Sequence, residues 1–439
     1  MASTPESPPR PGPPPWRPGE RGTVGLMTAS HAVQHFYSAG LAITYPFVVA
    51  DFHISYATLG LVLTVAGVTG GVLQGAAGLV RRVSARTLLG AQNVALGLLS
   101  VAGAFAPGFA AFGTARCLAA FAYWPQHPVG SAYLSERFPR RRGLVLSWHT
   151  TGGSIGTVSI PLVASALIAV WGWRTALVVL AFPMVVGGVV VGSRLPAEPH
   201  RTRLVAGDGD APAGNDPAGN DPAGNDPAGH DPAGAGAGDV PRTSVWRVVR
   251  RRKVVAILVA ATISAAGRGL GTLTAYVPAY LRTGLHLSAL LVGAMFTIVV
   301  LGSVVGPVVA GHLSDRYGRR PVLLVAYLGG GAALAAFGLV GGALPALAVT
   351  GAVVGLLAYA ESPLLQSLFS DATDGADARA AFGVFFAIAY GVGSLWLVVI
   401  GAIIDHAGFT WAFVAMAGSF AVAAGVVALG VPSGGDRAT

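Results

Sequence analysis

The residues able to do chemistry are few and sit in apolar surroundings. His31 and His35 are four apart and so share one face of a helix, with His31 nearer the chain's start and His35 close to the middle of its span. Arg268 is the counterpart of His35 in the second half of the chain, with Ser264 and Thr272 on the same stripe. No carboxylate other than Glu361 falls well inside an apolar stretch, which makes it the expected proton carrier; the alternative is a structural hydrogen bond to a neighbouring helix. His127 and His149 add imidazoles that could relay protons or bind anions. One acid, one central arginine and several histidines suit a small anion, a carboxylate, phosphonate or phosphate ester, better than a lipophilic cation. The aromatic rings of Tyr37, Tyr123, Trp124 and Tyr276 either wall such a site or simply pack. Candidate substrate contacts are therefore His31, His35, Tyr123, His127, Arg268 and Thr272, with Glu361 for proton coupling.

The elements that must position these groups are membrane-spanning helices. Of 439 residues, 53% are hydrophobic and only 11% charged, against roughly 25% charged in water-soluble chains. A spanning helix needs about 20 mostly apolar residues. Twelve such stretches are expected, beginning near Val24, Ala57, Thr87, Phe109, Gly143, Trp173, Val254, Ser288, Pro321, Leu344, Ala380 and Phe409. They divide the chain into a 23–195 bundle and a 246–432 bundle, with cytoplasmic tails at 1–22 and 433–439. Between the bundles, 196–245 carries Asp-Pro-Ala-Gly-Asn repeats, a composition that buries too little apolar area to order itself and reads as a flexible linker.

The two bundles repeat one pattern. Phe52-His53-Ile54-Ser55 followed by Gly60 returns as Leu285-His286-Leu287-Ser288 followed by Gly293, and the same offset relates Gly78 to Gly311, Arg86 to Arg319 and His35 to Arg268. Pro128-x6-Ser135-Glu136 returns as Pro363-x6-Ser370-Asp371, with the offset grown by two. An apolar chain built of two like halves is expected to carry a solute through a site between them, near the bilayer midplane.

A net charge of +9 invites a nucleic-acid reading, but the basic residues fall in alternate loops. With the N-terminus in the cytoplasm, all of the 28 Lys and Arg residues except Arg116, Arg174, Arg268 and Arg282 lie on that side. The positive-inside rule then predicts a multi-pass protein of the cell membrane with both termini cytoplasmic. The run Arg247, Arg250, Arg251, Arg252, Lys253 is read as a topology signal in contact with lipid, not a ligand site. A single cysteine, Cys117, excludes an intrachain disulfide, and the proline-rich segment 1–22 excludes a cleaved signal peptide there.

Gly311-His312-Leu313-Ser314-Asp315-Arg316-Tyr317-Gly318-Arg319-Arg320 resembles, at every defined position, the loop signature of the major facilitator superfamily. The resemblance implies an all-α membrane fold of two pseudo-symmetric six-helix bundles. It implies a cytoplasmic gate at Gly311, Asp315, Arg316, Gly318 and Arg319, in which Asp315 and the arginines can form ion pairs. The first-half counterpart, Gly78 to Arg86, departs from the signature, with Arg82 in the aspartate position. Arg116 and the Pro128 to Gly143 segment are similar to the superfamily's fourth-helix signature, which implies a proton-coupling role for Arg116; the alternative is an arginine snorkelling to the interface. His31 to Ser38 and His127 to Ser131 resemble the branch that includes fosmidomycin-resistance efflux proteins. The fifth-helix Gly-Pro signature of drug/proton antiporters is not clearly present, since Gly152 to Gly156 runs on to Pro161 at a different spacing.

These observations predict a monomeric, proton-coupled carrier exporting a small anionic or drug-like solute, with coupled uptake of a small organic anion as the alternative. A transporter-like sensor signalling to a cytoplasmic partner is a further class. The sequence shows no metal-ligand spacing, nucleophile elbow or phosphate-binding loop, so no cofactor and no enzymatic activity are expected.

Overall fold

The structure, a computed structural model, describes residues 15–75, 83–197, 245–373 and 378–432. Nearly all of the expected linker, the 433–439 tail, most of the 1–22 tail and Arg82 lie outside those residues. The first half contains α1 (Glu20–Phe52), α2 (Tyr56–Gly75), α3 (Ala85–Ala104), α4 (Phe109–Tyr123), α5 (Gln126–Arg137) and α6 (Arg142–Arg194). After a short α7 (Val245–Val249), the second half contains α8 (Arg252–Ile263), α9 (Thr274–Ala279), α10 (Ala289–Tyr317), α11 (Arg319–Leu339), α12 (Leu344–Ala358), α13 (Glu361–Ala372), α14 (Ala378–Phe386), α15 (Leu395–Ala407) and α16 (Phe409–Gly430). No strand occurs among the described residues.

Gly172, with φ 78° and ψ 168°, interrupts α6. Gly40 of α1 lies against both Ile160 and Leu180, which would stand about 30 Å apart along one straight helix. The run is therefore a helical hairpin whose two arms clasp α1. Among the described residues, nine helical runs are long and apolar enough to cross a membrane, that hairpin counting as one. Glu20–Phe52 and the α4–α5 pair do not meet the criterion. Both carry polar side chains, His31, Gln34 and His35 on one and Arg116, Gln126 and His127 on the other, so the departures from simple hydropathy coincide with the candidate site.

Apolar side chains such as Phe105, Phe182, Val325 and Leu339 face outward, while Gln92, Asn93, Gln126, Arg268 and Glu361 are buried. That inversion is what a lipid solvent selects.

The repeated His-x-Ser-x4-Gly pattern is structural. His53 (φ 52°) and His286 (φ 54°) both adopt the left-handed conformation that histidine tolerates better than most side chains. Ser55 and Ser288 then accept from the Thr58 and Leu291 amides and start the next helix. Gly60 and Gly293 bring the two halves together: Gly60 abuts the Leu397 carbonyl and Tyr276, and Gly293 abuts Pro161 and Ser165. At this end, opposite the start of α1 and the end of α16, Asp405 accepts from the Tyr56 and Ala57 amides at 2.9 and 2.8 Å, and the Tyr56 hydroxyl meets Thr283 at 2.8 Å. Thr64 and Ser394 exchange bonds with each other's backbone carbonyls further along the same seam.

Candidate functional site

The second-half site begins with a break in a helix. After Ile263 the chain passes through a 3-10 turn (Ser264–Ala266), an extended Arg268 (φ −64°, ψ 135°) and a π turn (Gly269–Leu273) before helix resumes at Thr274. A break inside a membrane frees carbonyls that must find other donors. Arg268 supplies one to the Ala261 carbonyl, and the Thr272 hydroxyl caps Ala265 O at 2.8 Å. A matching irregularity, a π turn at Ala387–Gly391, lies opposite, and Arg268 Nη1 donates to Ala389 O at 2.7 Å.

The remaining donors of Arg268 form a fork on Glu361, with Nε to Oε2 at 3.0 Å and Nη2 to Oε1 at 3.3 Å. Both side chains are buried, Glu361 completely. Ser264 also donates to Glu361, and the Tyr327 hydroxyl lies 3.4 Å from the same carboxylate oxygen. Tyr390 lies across the guanidinium, 4.9 Å from ring centre to Cζ, and its hydroxyl contacts Ser362. Charge-assisted, bidentate geometry of this kind is strong and directional. The groups expected to bind an anion and to carry a proton thus form one neutral unit.

The first half holds a neutral counterpart. Asn93 donates to Ser30 at 3.0 Å, and Gln92 to Gln126 Oε1 at 3.2 Å. Gln126 stands two positions before Pro128, as Glu361 stands two before Pro363, so the repeat relates an amide to the acid. Beside this network His31, His35 and His127 converge, their ligating nitrogens all within 4.8 Å of one another. His31 Nδ1 lies 2.7 Å from His149 O, His35 Nδ1 lies 2.7 Å from Thr157 Oγ1, and the two Nε2 atoms are 3.1 Å apart. The His149 ring stacks on His31 at 4.2 Å. This convergence joins α1 to α5, helices far apart in the chain, which is why no spacing along the sequence announces it.

The other expected residues are placed as follows. Tyr123 is half-buried beside Tyr37, at 6.1 Å between ring centres. Arg116 lies under the Tyr37 ring and reaches Tyr45 at 3.4 Å, and has no acidic partner among the described residues. Thr272 is buried with its hydroxyl engaged by Ala265, so it stabilises the helix break. In the signature loop, Gly318 has φ 91°, a conformation that favours glycine. Arg319, not Asp315, makes the ion pair: its partner is Asp371, and it also donates to Ser367 O at 2.5 Å. Asp315 is exposed and has no ion-pair partner among the described residues, and Arg316 stacks on Tyr317. These loop bonds all stay inside the second half, whereas Asp405, which no motif marked, binds across the halves. Ser264, Tyr327 and Tyr390 complete the buried site; of these the sequence pointed only to Ser264, through its stripe with Arg268.

A family model described as Major Facilitator Superfamily matches residues 27–298 and, again, 257–438. Among curated proteins, the membrane sensor protein UhpC of Escherichia coli is 27% identical over 179 residues, and its Salmonella typhimurium counterpart 27% over 177. Each match spans only 40% of this chain and 40% of the relative. Among solved structures, the nucleoside transporter NupG has a TM-score of 0.70 at 14% identity, covering 92% of this chain and 98% of that one. A D-xylose–proton symporter reaches 0.67 at 15% identity, covering 94% and 98%. An inward-facing bacterial homologue of the human lysosomal transporter Spinster reaches 0.63 at 13%, covering 95% and 96%. At such identities the likeness is one of fold.

Proposed function

The chain belongs to the major facilitator superfamily, and from that premise we propose that it is a secondary transporter which moves a small organic anion together with a proton. The observation that carries this reading is the buried fork between Arg268 and Glu361. An ion pair inside a membrane protein is seldom retained for stability alone, because desolvation offsets much of its attraction. Intramembrane charges more often mark a solute or proton path. A proton placed on Glu361 removes the charge that Arg268 faces and leaves the guanidinium free for an anionic solute. Deprotonation restores the pair and expels the anion. Proton and anion then travel as a neutral couple, and the empty site is neutral too, so both loaded and empty forms can reorient.

Of the two directions considered from the sequence, this chemistry supports coupled uptake where the proton gradient points inward, and export where it is reversed. Alternating access follows from the two halves hinging about the seam at Gly60, Gly293 and Asp405. We place the carrier in the cell membrane with its termini cytoplasmic, on the distribution of its basic residues. Its substrate contacts are the arginine fork and the half-buried Ser362 and Tyr390. The likeness to a protein named as a membrane sensor supports a second reading, in which ligand binding is reported without flux.

The test is flux through the purified chain in liposomes holding a pH-sensitive dye, challenged with short carboxylates, phosphonates and phosphate esters. Anion-dependent proton entry in the wild type, abolished in Glu361→Gln, supports coupling. Anion flux unaccompanied by protons and equal in both proteins removes it. Ligand binding with no flux of either favours the sensor.

A further inference from the structure

We propose that His31, His35 and His127 form a binding site for a late first-row divalent metal cation such as Zn2+, independent of the arginine–glutamate pair. The argument starts from the tautomers. His31 Nδ1 lies 2.7 Å from a backbone carbonyl, that of His149, which can only accept, so Nδ1 carries the hydrogen. Where the Thr157 hydroxyl keeps its bond to Gly153 O at 3.0 Å, it accepts from His35 Nδ1 at 2.7 Å, and that nitrogen is protonated likewise. In that tautomer both neutral rings turn a lone pair outward at Nε2, and these two atoms face each other at 3.1 Å. A cation held between them satisfies both lone pairs at once.

The geometry suits a metal. An ion about 2.0–2.1 Å from both nitrogens would subtend an angle of about 100°, close to tetrahedral. Imidazole is a preferred ligand of Zn2+, Ni2+ and Cu2+ and a poor one for Mg2+ or Ca2+. Metal-bound histidines characteristically donate the other ring nitrogen to a carbonyl or similar acceptor, as both do here. His127 supplies the third ring, edge-on to His31 at 4.9 Å between centres; its nitrogen lies within 4.8 Å of the other two and would close by up to about 1.5 Å to reach tetrahedral spacing. His127 is exposed while His31 is buried, which provides an entry side and leaves a fourth position for water or solute. His149 is not a ligand: its carbonyl orients His31 and its ring backs it. Gly153 keeps the ground between the nitrogens open, because a methyl there would stand 3.0 Å from each Nε2.

The experiment titrates Zn2+ into the chelator-treated full chain in nanodiscs by calorimetry, and Co2+ by its visible absorption, which is intense only in tetrahedral coordination. The expected result is one ion per chain, with affinity falling at least ten-fold in His35→Gln and in His127→Gln. Thr157→Val, which removes the partner of His35 Nδ1 and the bond to Gly153 O, should cost roughly ten-fold, and Gly153→Ala should weaken binding by crowding. His312→Gln, at an exposed histidine in the other half, should change nothing. Metal-free melting curves matching the wild type separate loss of ligand from loss of fold. Failure to take up either ion at one per chain would leave a shared proton between the rings and overturn the proposal. Uptake undiminished in both His35→Gln and His127→Gln would overturn it equally.

Discussion

Asp405 is the residue whose loss should most directly shift the balance between the joined and separated states of the two halves. Its two carboxylate oxygens accept from the first two amides of α2, Tyr56 at 2.9 Å and Ala57 at 2.8 Å. Those amides have no partner within their own helix, and the positive end of the helix favours a negative charge. Replacing a helix cap of this kind by alanine costs about 0.5–2 kcal/mol. Asp405 is exposed, so screening places the value near the middle of that range, about 1 kcal/mol. Because the cap spans the two halves, the loss falls on the joined state alone and lowers its weight about five-fold. The assay is a spin-label distance between Pro107→Cys and Ala343→Cys, which lie in exposed turns of opposite halves at this end, with Cys117 replaced by alanine. Asp405→Ala should raise the longer-distance population about five-fold relative to the shorter, and Asp405→Asn, whose single amide oxygen can still accept from one of the two amides, should do less. An unchanged distribution in Asp405→Ala, or equal effects of alanine and asparagine, would refute the idea that carboxylate capping holds the seam.

The buried fork should show strong energetic coupling. Arg268→Leu or Glu361→Leu alone leaves one charge unpaired and should cost about 3–5 kcal/mol, whereas the double variant should recover most of the melting temperature while lacking coupled flux; a double variant as unstable as the sum of the singles would contradict this. In the signature loop, Arg319→Ala removes the Asp371 pair and the Ser367 bond and should lower stability by at most about 1 kcal/mol, read as a slight drop in melting point, since the pair is part-exposed. Asp315→Ala, which breaks no ion pair among the described residues, should leave melting unchanged and slow the transport cycle without altering what is carried, a split readable from thermal melts beside initial rates.

The halves, their repeat and most of the helices were legible because lipid leaves the chain few options: apolar runs must be helices, and their interruptions must be turns. The His53 and His286 pattern shows where such reading stops short. As a repeat it is plain in the sequence, yet only the left-handed φ at each histidine and the packing at Gly60 and Gly293 reveal that it builds turns and a seam. Arg268 and Glu361 were each identifiable as an expensive intramembrane charge. Their union was not, because it depends on the helix break at Ser264 and on the π turn at Ala387–Gly391 opposite it, which present the Ala261 and Ala389 carbonyls that aim the guanidinium. Glycines at 267, 269 and 271 mark that break, although glycine is common enough throughout the chain to hide it. Asp405 passed unnoticed for a related reason: an acid just before a turn reads as ordinary interfacial polarity until the helix it caps is seen to belong to the other half.

The repeat also argues that the two half-sites have diverged in work. Equivalent positions of the two halves carry His35 against Arg268 and Gln126 against Glu361. The fold thus accepts neutral side chains in both roles, for the first half builds a buried network from Ser30, Gln92, Asn93 and Gln126 without any formal charge. Packing therefore does not demand the ions of the second half, and burying them carries a desolvation cost that the amide version avoids. A charged pair kept where an uncharged solution folds supports the work proposed for these charges, to respond to protons and hold an anion. By the same reasoning the imidazoles of the first half, with the Nε2 atoms of His31 and His35 3.1 Å apart, support the proposed cation site.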